Sequence, residues 1–321
     1  EISQVVVNEA KSKDELKYFH NQLEEFFKKY KIDNWRENFE DGIELLVDEE
    51  VRNEFISCVR EFQRVIDKVL PDPEASKYLN DLKIVNFIKE SARNRYRDDK
   101  LSIKDISKKV REIVEEYLIS KGVDPKIPPI PLLEDNFIAE VKKKKIPKAQ
   151  AQELKSAIEE HISKHSEEDP EFYERFSDRL NRVLEEYKEN WELLAQELEI
   201  IRNNIKQGRE SEDTFGFEPK KEMPFFGLLK QEIYGKKSTK ELSDEEIDFL
   251  VELTRDIIEI IKREIQVVDF WESFTKQKRV KSHIINQLLN TKNNTLFVKR
   301  NEIAQKLLEL SSHVYGKNYA N

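Results

Sequence analysis

Residues 51–97 read VRNEFISCVREFQRVIDKVLPDPEASKYLNDLKIVNFIKESARNRYR, two helical patterns back to back around a Pro-Asp-Pro break. Val51, Phe55, Cys58, Phe62, Val65 and Val69 recur at steps of three and four, which lays one apolar stripe along a helix. Leu70-Pro71-Asp72-Pro73 ends it, because proline lacks an amide donor and keeps the residue before it out of helical geometry. Tyr78, Leu82, Val85, Ile88, Ala92 and Tyr96 then form a second stripe, with Arg93, Arg95 and Arg97 around its last turn. That basic, aromatic tip suits phosphate, yet nothing in it can break a bond.

Composition extends the same reading to the whole chain. Seven glycines and ten prolines among 321 residues are less than half the usual share of ~12%, which argues for long helices with few connections. Charged residues make up 38% and the net charge is -9. That balance argues against a generic polyanion-binding surface and leaves local basic patches open. The single cysteine, Cys58, lies on an apolar stripe and reads as a small core residue in a reducing, cytoplasmic setting, with no disulfide framework. No apolar run approaches the ~18 residues that span a bilayer, and no signal peptide is recognisable. Residue 1 is Glu, so the chain is expected to be a piece of something longer, with the β-branched start at 2–7 as the end of an upstream element.

About ten helices are expected. Residues 13–30 carry Leu16, Phe19, Leu23, Phe26 and Phe27 on one face. Ser102 is placed to cap a helix bearing Ile106, Val110, Ile113, Val114 and Tyr117, and Gly122 to end it. Four prolines within 125–131 favour an extended strap, the best candidate boundary within the chain. Helices are expected over 133–144 and 147–165. The strongest periodicity follows: Leu180, Leu184, Tyr187, Trp191, Leu194, Leu198, Ile201 and Ile205 alternate steps of four and three. That predicts one helix about 39 Å long whose seam finds a partner within the chain. Residues 207–240 read as a loop around a short helix at 225–229. Ser243 and Glu246 form a capping box for a helix through Ile265, and two last helices lie around 281–289 and 298–315. The expected fold is all-α, an irregular multi-helix array with one long helix and a proline-rich strap. Its parts are 1–50, 51–205, 206–240 and 241–321.

Tests for catalytic chemistry fail one after another. Gly235-Lys236-Lys237-Ser238 imitates the end of a phosphate loop, but Lys230 stands where the loop needs glycine. Asp244-Glu245-Glu246 opens a helix and caps it. Asp72, Glu74 and Lys77 lack the spacing of a nuclease metal site. His161 and His165 share a helix face with Glu168 and Asp169 nearby, a metal option set against two solvent-facing residues at a helix end. His20, His283 and His313 have no nucleophile or carboxylate partner in sequence. No catalytic, cofactor or metal residue is assigned. Two basic clusters remain as DNA or partner contacts: Arg93, Arg95, Tyr96 and Arg97, and the lysines Lys142, Lys143, Lys144, Lys145 and Lys148. Lys276, Lys278, Arg279 and Lys281 form a weaker one. Phosphate contact would carry little sequence preference, and charge at helix C-termini explains each cluster as well.

Several stretches together resemble the C-terminal helical region of the restriction (R) subunit of type I restriction-modification enzymes. They include Phe62-Gln63-Arg64 through Leu70-Pro71-Asp72-Pro73, Tyr78-Leu79-Asn80-Asp81-Leu82-Lys83 and Ala92-Arg93-Asn94-Arg95-Tyr96-Arg97-Asp98. Asp135-Asn136-Phe137, Glu159-Glu160-His161-Ile162, Glu168-Asp169-Pro170-Glu171-Phe172-Tyr173 and Ser177-Asp178-Arg179-Leu180 continue the run. Order and spacing agree over residues 50–205, and the last third matches mainly in Asp269-Phe270-Trp271 and the helical tail. The resemblance implies a modular subunit with a nuclease and two ATP-driven motor domains upstream, which would use ATP and Mg²⁺. It implies a non-catalytic fragment that docks the motor to the methyltransferase and specificity subunits, with double-stranded DNA handled by the parent complex. The alternative is a free-standing all-helical protein or RNA-binding scaffold.

Overall fold

The computed structural model describes residues 2–316 apart from 104, 105, 127 and 145. Among the described residues there are fourteen α-helices and no strand, and no helix is long and apolar enough to cross a membrane. The chain is all-α, and it divides into two compact units, Glu1–Ala157 and Ile158–Asn321. The division falls inside a helix. The parts expected from the sequence are set instead at 50, 205 and 240, with the proline strap as the best candidate boundary.

The first unit holds α1 (Ile2–Lys29), α2 (Phe39–Leu45), α3 (Glu49–Val69), the single turn α4 (Pro73–Ser76), α5 (Leu79–Tyr96), α6 (Lys108–Ser120), α7 (Phe137–Lys142) and the start of α8 (Pro147–His165). Residues 2–7, expected as the end of an upstream element, form the first part of α1. Asp48 caps α3 by accepting from the amides of Glu50 and Val51 at 2.9 and 3.1 Å. This satisfies two of the donors that a helix start leaves unpaired. The apolar stripe of α3 packs along α1: Phe55 and Phe62 are fully buried with Leu16 and Leu23. Phe27 meets Phe55 edge-on at 6.0 Å and stacks on Trp35 at 4.6 Å. The break at 70–73 stands, with Asp72 capping α4 through the Glu74 amide at 2.8 Å. Helix α5 is buried on far more than one face, taking Ile84, Asn86, Lys89 and Glu90 inside with Leu82, Val85 and Ile88.

Three local expectations meet the structure in this unit. Ser107, not Ser102, caps α6, its Oγ accepting from the Val110 amide at 3.3 Å and donating to Asp67 at 2.6 Å. Ser102 instead follows a short 3-10 helix, Asp99–Leu101, and Leu101 and Ile103 on either side of it are buried, so the α-helical period starts a turn later. Gly122 does end α6: its φ is +81°, and the amides of Gly122 and Val123 return to the Ile119 and Leu118 carbonyls at 2.9 Å. That pairing needs a left-handed residue, which glycine takes without strain. The helix expected over 133–144 shrinks to the six residues of α7.

The second unit holds the end of α8, α9 (Pro170–Glu186), α10 (Trp191–Gln207), α11 (Met223–Tyr234), α12 (Asp244–Ile265), α13 (Phe274–Asn290) and α14 (Asn294–Tyr315). Its centre is α11, in the region that the sequence presents as mostly loop. Met223 through Lys230 are all buried, and α9, α12 and α14 pack around them. The capping box on α12 forms as expected, Ser243 accepting from the Glu246 amide at 3.2 Å and Glu246 from the Ser243 amide at 2.8 Å.

The single long helix over 180–205 does not form. The side chain of Asn190 accepts from the Leu193 amide at 3.1 Å and starts α10 afresh, while Tyr187 closes α9. Asparagine competes for backbone donors in this way, and a step of four residues conceals the break because it also matches the helical period. The seam's partner is its own other half, since α9 and α10 pack on one another. Leu180, Leu194, Leu198, Ile201 and Ile205 are buried there. Replacing Asn190 with Ala should cost about 1 kcal/mol, the usual worth of such a cap. Chemical denaturation checks this, and a gain in stability would mean that the helix prefers to run through.

Candidate functional site

Arg93, Arg95 and Tyr96 end a helix buried on most sides, and the structure turns all three inward. Arg93 is 8% exposed and Arg95 6%. The Arg93 guanidinium pairs with Glu90 and lies 3.2 Å from Asp99. Arg95 reaches both oxygens of Glu40 on α2, at 2.7 and 3.0 Å. Tyr96 donates to the Ile43 carbonyl at 2.8 Å and lies 3.2 Å from Gln152 Oε1, and burial pushes its phenol up beyond the usual range. Arg97 adopts φ 56°, closing α5, and donates to the Ile130 carbonyl at 2.8 Å. The strap is thus tied down by the tip that the sequence offered to phosphate. A buried cation beside a buried acid belongs to the fold.

The lysine cluster is placed differently. Lys142 and Lys143 are exposed at the end of α7, Lys143 pairing with Glu140 at 2.5 Å. Lys144 is half-buried and 2.6 Å from Glu153, and Lys148 is 3.2 Å from Glu44. Lys145 lies outside the described residues. Exposed pairs such as Lys143–Glu140 are worth little and exchange readily.

His161 and His165 do share a helix face, with ring centroids 4.4 Å apart. Their nitrogens point to different partners: His161 Nε2 lies 3.3 Å from the Tyr173 hydroxyl, and His165 Nδ1 lies 3.0 Å from Glu168. Burial and the neighbouring His165 pull His161 down to about 4. Among the described residues the one converging histidine–carboxylate group is His20, Glu24 and Asp81, and a guanidinium already sits there. Arg36 donates to Asp81 at 2.8 and 2.7 Å and also reaches Glu24. Burial pushes Asp81 up, but the hydrogen bonds and charges of His20 and Arg36 outweigh it and hold Asp81 at about 2.

The most deeply buried charge cluster went unseen in the sequence. Arg209 Nε and Nη2 lie 2.6 and 2.8 Å from Asp169, Nη2 lies 2.7 Å from Glu171, and Nη1 lies 2.8 Å from Glu212. Lys230 of α11 completes it, 2.7 Å from Glu171. A Cβ at Gly227 would come within 2.7 Å of Arg209 Nη2, so the glycine of α11 is what lets the helix approach this cluster. Asp169 and Glu171 are distant in sequence from Arg209, and the only hint was an Asp-Pro-Glu start to α9. Beside it opens a cleft of about 490 Å³, where Glu174 and Asp178 alternate with Arg175, Arg179 and Lys236. Its mixed charges give it no clear preference for either sign of ligand.

The sequence profile described as "Type I restriction enzyme HindI endonuclease subunit-like, C-terminal" matches residues 3–313. The chain belongs to this family. A relative from Methanocaldococcus jannaschii, named as a putative type I restriction enzyme MjaIXP endonuclease subunit, is 23% identical over 246 residues. The match covers 67% of this chain and 23% of the relative, so the chain spans about a quarter of that protein's length. No solved structure matches. Residues 3–313 take in both compact units, so the family region is larger than the 50–205 stretch that carries the resemblance.

Replacing Arg209 with Met should cost about 3–5 kcal/mol, because Asp169 would lose the cation it pairs with and Glu171 would keep only Lys230 and the more exposed Arg175. Urea unfolding measures it. The His161 ring should give the fold a pH dependence of definite sign. Its folded value of about 4 lies below the ~6.5 of an unfolded chain, so the unfolded state binds the extra proton between those limits. Stability is therefore full above that window and falls as pH drops through it. His161→Gln should flatten the wild-type loss seen between neutral pH and about pH 5, and an unchanged slope would refute the assignment.

Proposed function

We propose that this chain is a non-catalytic helical domain of a type I restriction endonuclease subunit, docking an ATP-dependent DNA motor to the methyltransferase core and lining the DNA path. The observation that carries the reading is the family match across residues 3–313. It favours this over a free-standing scaffold, for which no observation speaks. The parent subunit would hold ATP and Mg²⁺ in domains upstream, and its complex would contain methyltransferase and specificity subunits and act on double-stranded DNA in the cytoplasm.

Two surface features support docking. Val268 and Phe274 are 77% and 79% exposed in the link before α13 and at its start, close enough that Lys276 of the same turn reaches the Val268 carbonyl at 2.6 Å. These two exposed apolar side chains are the anchors that a docked partner would bury. Lys142 and Lys143 supply exposed positive charge that acidic partner surfaces or phosphates would accept. Arg93, Arg95 and Tyr96 are buried and paired within the fold, so their part would be to support this domain.

Tagged chain mixed with purified methyltransferase–specificity complex should retain that complex, and Val268→Asp with Phe274→Asp should abolish retention while leaving the helical content intact. The same preparation should show neither Mg²⁺-dependent DNA cleavage nor ATP hydrolysis. Retention unaffected by the double substitution would remove that surface from the reading, and either activity in pure protein would remove the non-catalytic assignment.

A further inference from the structure

Helix α10 carries two seams on opposite sides. Leu194, Leu198, Ile201 and Ile205 are buried, and α9 packs on that side. On the far side Leu193, Gln196, Ile200, Asn203 and Gln207 recur at steps of three and four, the spacing of positions a and d in a coiled coil. All five are exposed, Leu193 at 43% and Ile200 at 44%. None of the five is charged, in a chain with 38% charged residues. The outward stripe of α12 shows the contrast, since Glu245, Asp248, Glu252, Arg255 and Glu259 are all exposed there. On α10 the charge stands instead beside the seam, at Glu192, Glu197 and Glu199. The side-chain amides of Gln196 and Gln207 make no hydrogen bond among the described residues. The amide of Asn203 accepts from Arg202 at 3.1 Å and keeps its own donors for another partner.

We propose that this outward seam pairs two copies of the chain through parallel, in-register α10 helices. A two-fold axis sets each residue along it against its own copy, so the surface must tolerate meeting itself. Carboxylates or ammonium groups would repel there, whereas an amide carries donors and an acceptor and bonds to an identical amide. Parallel pairing stacks like on like over about 21 Å of helix: Leu193 on Leu193, Gln196 on Gln196, Ile200 on Ile200, with the Asn203 and Gln207 amides beyond. Antiparallel pairing would set Gln196 against Ile200 and Leu193 against Asn203, which leaves amides facing apolar side chains. Ile at an a position favours two strands, and a polar residue in the seam fixes the register at a cost in stability. One helix from each copy makes a contact smaller than a permanent interface, so the pair is transient. The flanks oppose it weakly, because parallel pairing sets Glu192 beside Glu197 of the other copy, a repulsion that salt screens. The dimer therefore tightens as salt rises. The argument for a second copy is independent of the restriction-subunit reading.

Sedimentation velocity of the full chain from ~5 to ~300 µM, at low and high salt, tests it. The wild type should show a monomer–dimer equilibrium that shifts toward dimer with salt. Leu193→Lys with Ile200→Lys should weaken pairing at least ~10-fold, and Gln196→Leu with Asn203→Leu should tighten it by a similar factor of ~10, since polar layers cost stability. These positions are exposed, so the variants should melt like the wild type. Gln196→Cys should form a disulfide-linked dimer under mild oxidation, because in-register helices bring the two Cα atoms within the ~7 Å that the bond requires. Glu252→Cys on the charged stripe of α12 should not. Phe297→Lys with Val298→Lys, at two other exposed apolar positions, should pair like the wild type. A monomeric wild type, unchanged pairing in the Leu193 and Ile200 variant, or equal loss in the Phe297 and Val298 control overturns the proposal. A dimer that loosens with salt, or a Gln196→Cys chain that cross-links no better than Glu252→Cys, overturns it too. Val268→Asp with Phe274→Asp should leave pairing intact, so dimerisation and retention of the methyltransferase complex fail separately.

Discussion

A charge carried under the surface by a helix must find its opposite within hydrogen-bond distance, or the helix cannot bury there. This constraint organises both units. In the second, Asp169 and Glu171 open α9 inside the protein, and Arg209 and Lys230 reach them from two other parts of the chain. Helix α11 can approach only because position 227 has no side chain. In the first unit the same solution appears twice. Arg36 and His20 converge on Asp81, and Arg95 spans to Glu40. Each cluster links elements far apart along the sequence, so the ion pairs fix which helix meets which where apolar stripes alone would slide.

The same pairing decides what is left for a partner. A chain with 38% charged residues commits several of its arginines internally, and a basic run in the sequence is therefore a poor guide to a basic surface. Arg93, Arg95 and Tyr96 sit on a helix packed on most sides, so they turn into cement. Arg60, Arg64 and Lys68 sit on a helix that buries one face only, and on the opposite face they stay exposed to solvent. The difference lies in how many neighbours each helix has, not in the residues themselves.

The two units also differ in how they present apolar surface. Helices α1 and α3 close on each other through phenylalanines and leucines that are fully buried. Near the start of α13, Val268 and Phe274 stand in water.

The sequence by itself determined the all-helical class, the break at 70–73, the capping box of α12 and the glycine that ends α6. These are local: steps of three and four, a missing amide donor, a side chain reaching its own turn. It also carried the family, through order and spacing over a long stretch. Tertiary structure alone decided that the seam from Leu180 to Ile205 folds back on itself, because one asparagine outcompetes a period that both arrangements satisfy. It lengthened the short helix expected at 225–229 into α11 and made it the core of its unit, because Lys230 becomes buried once it meets Glu171 far away in the chain. It separated inward from outward arginines for the same reason. Periodicity names the face of a helix, but how many helices pack against that face is a property of the assembled chain.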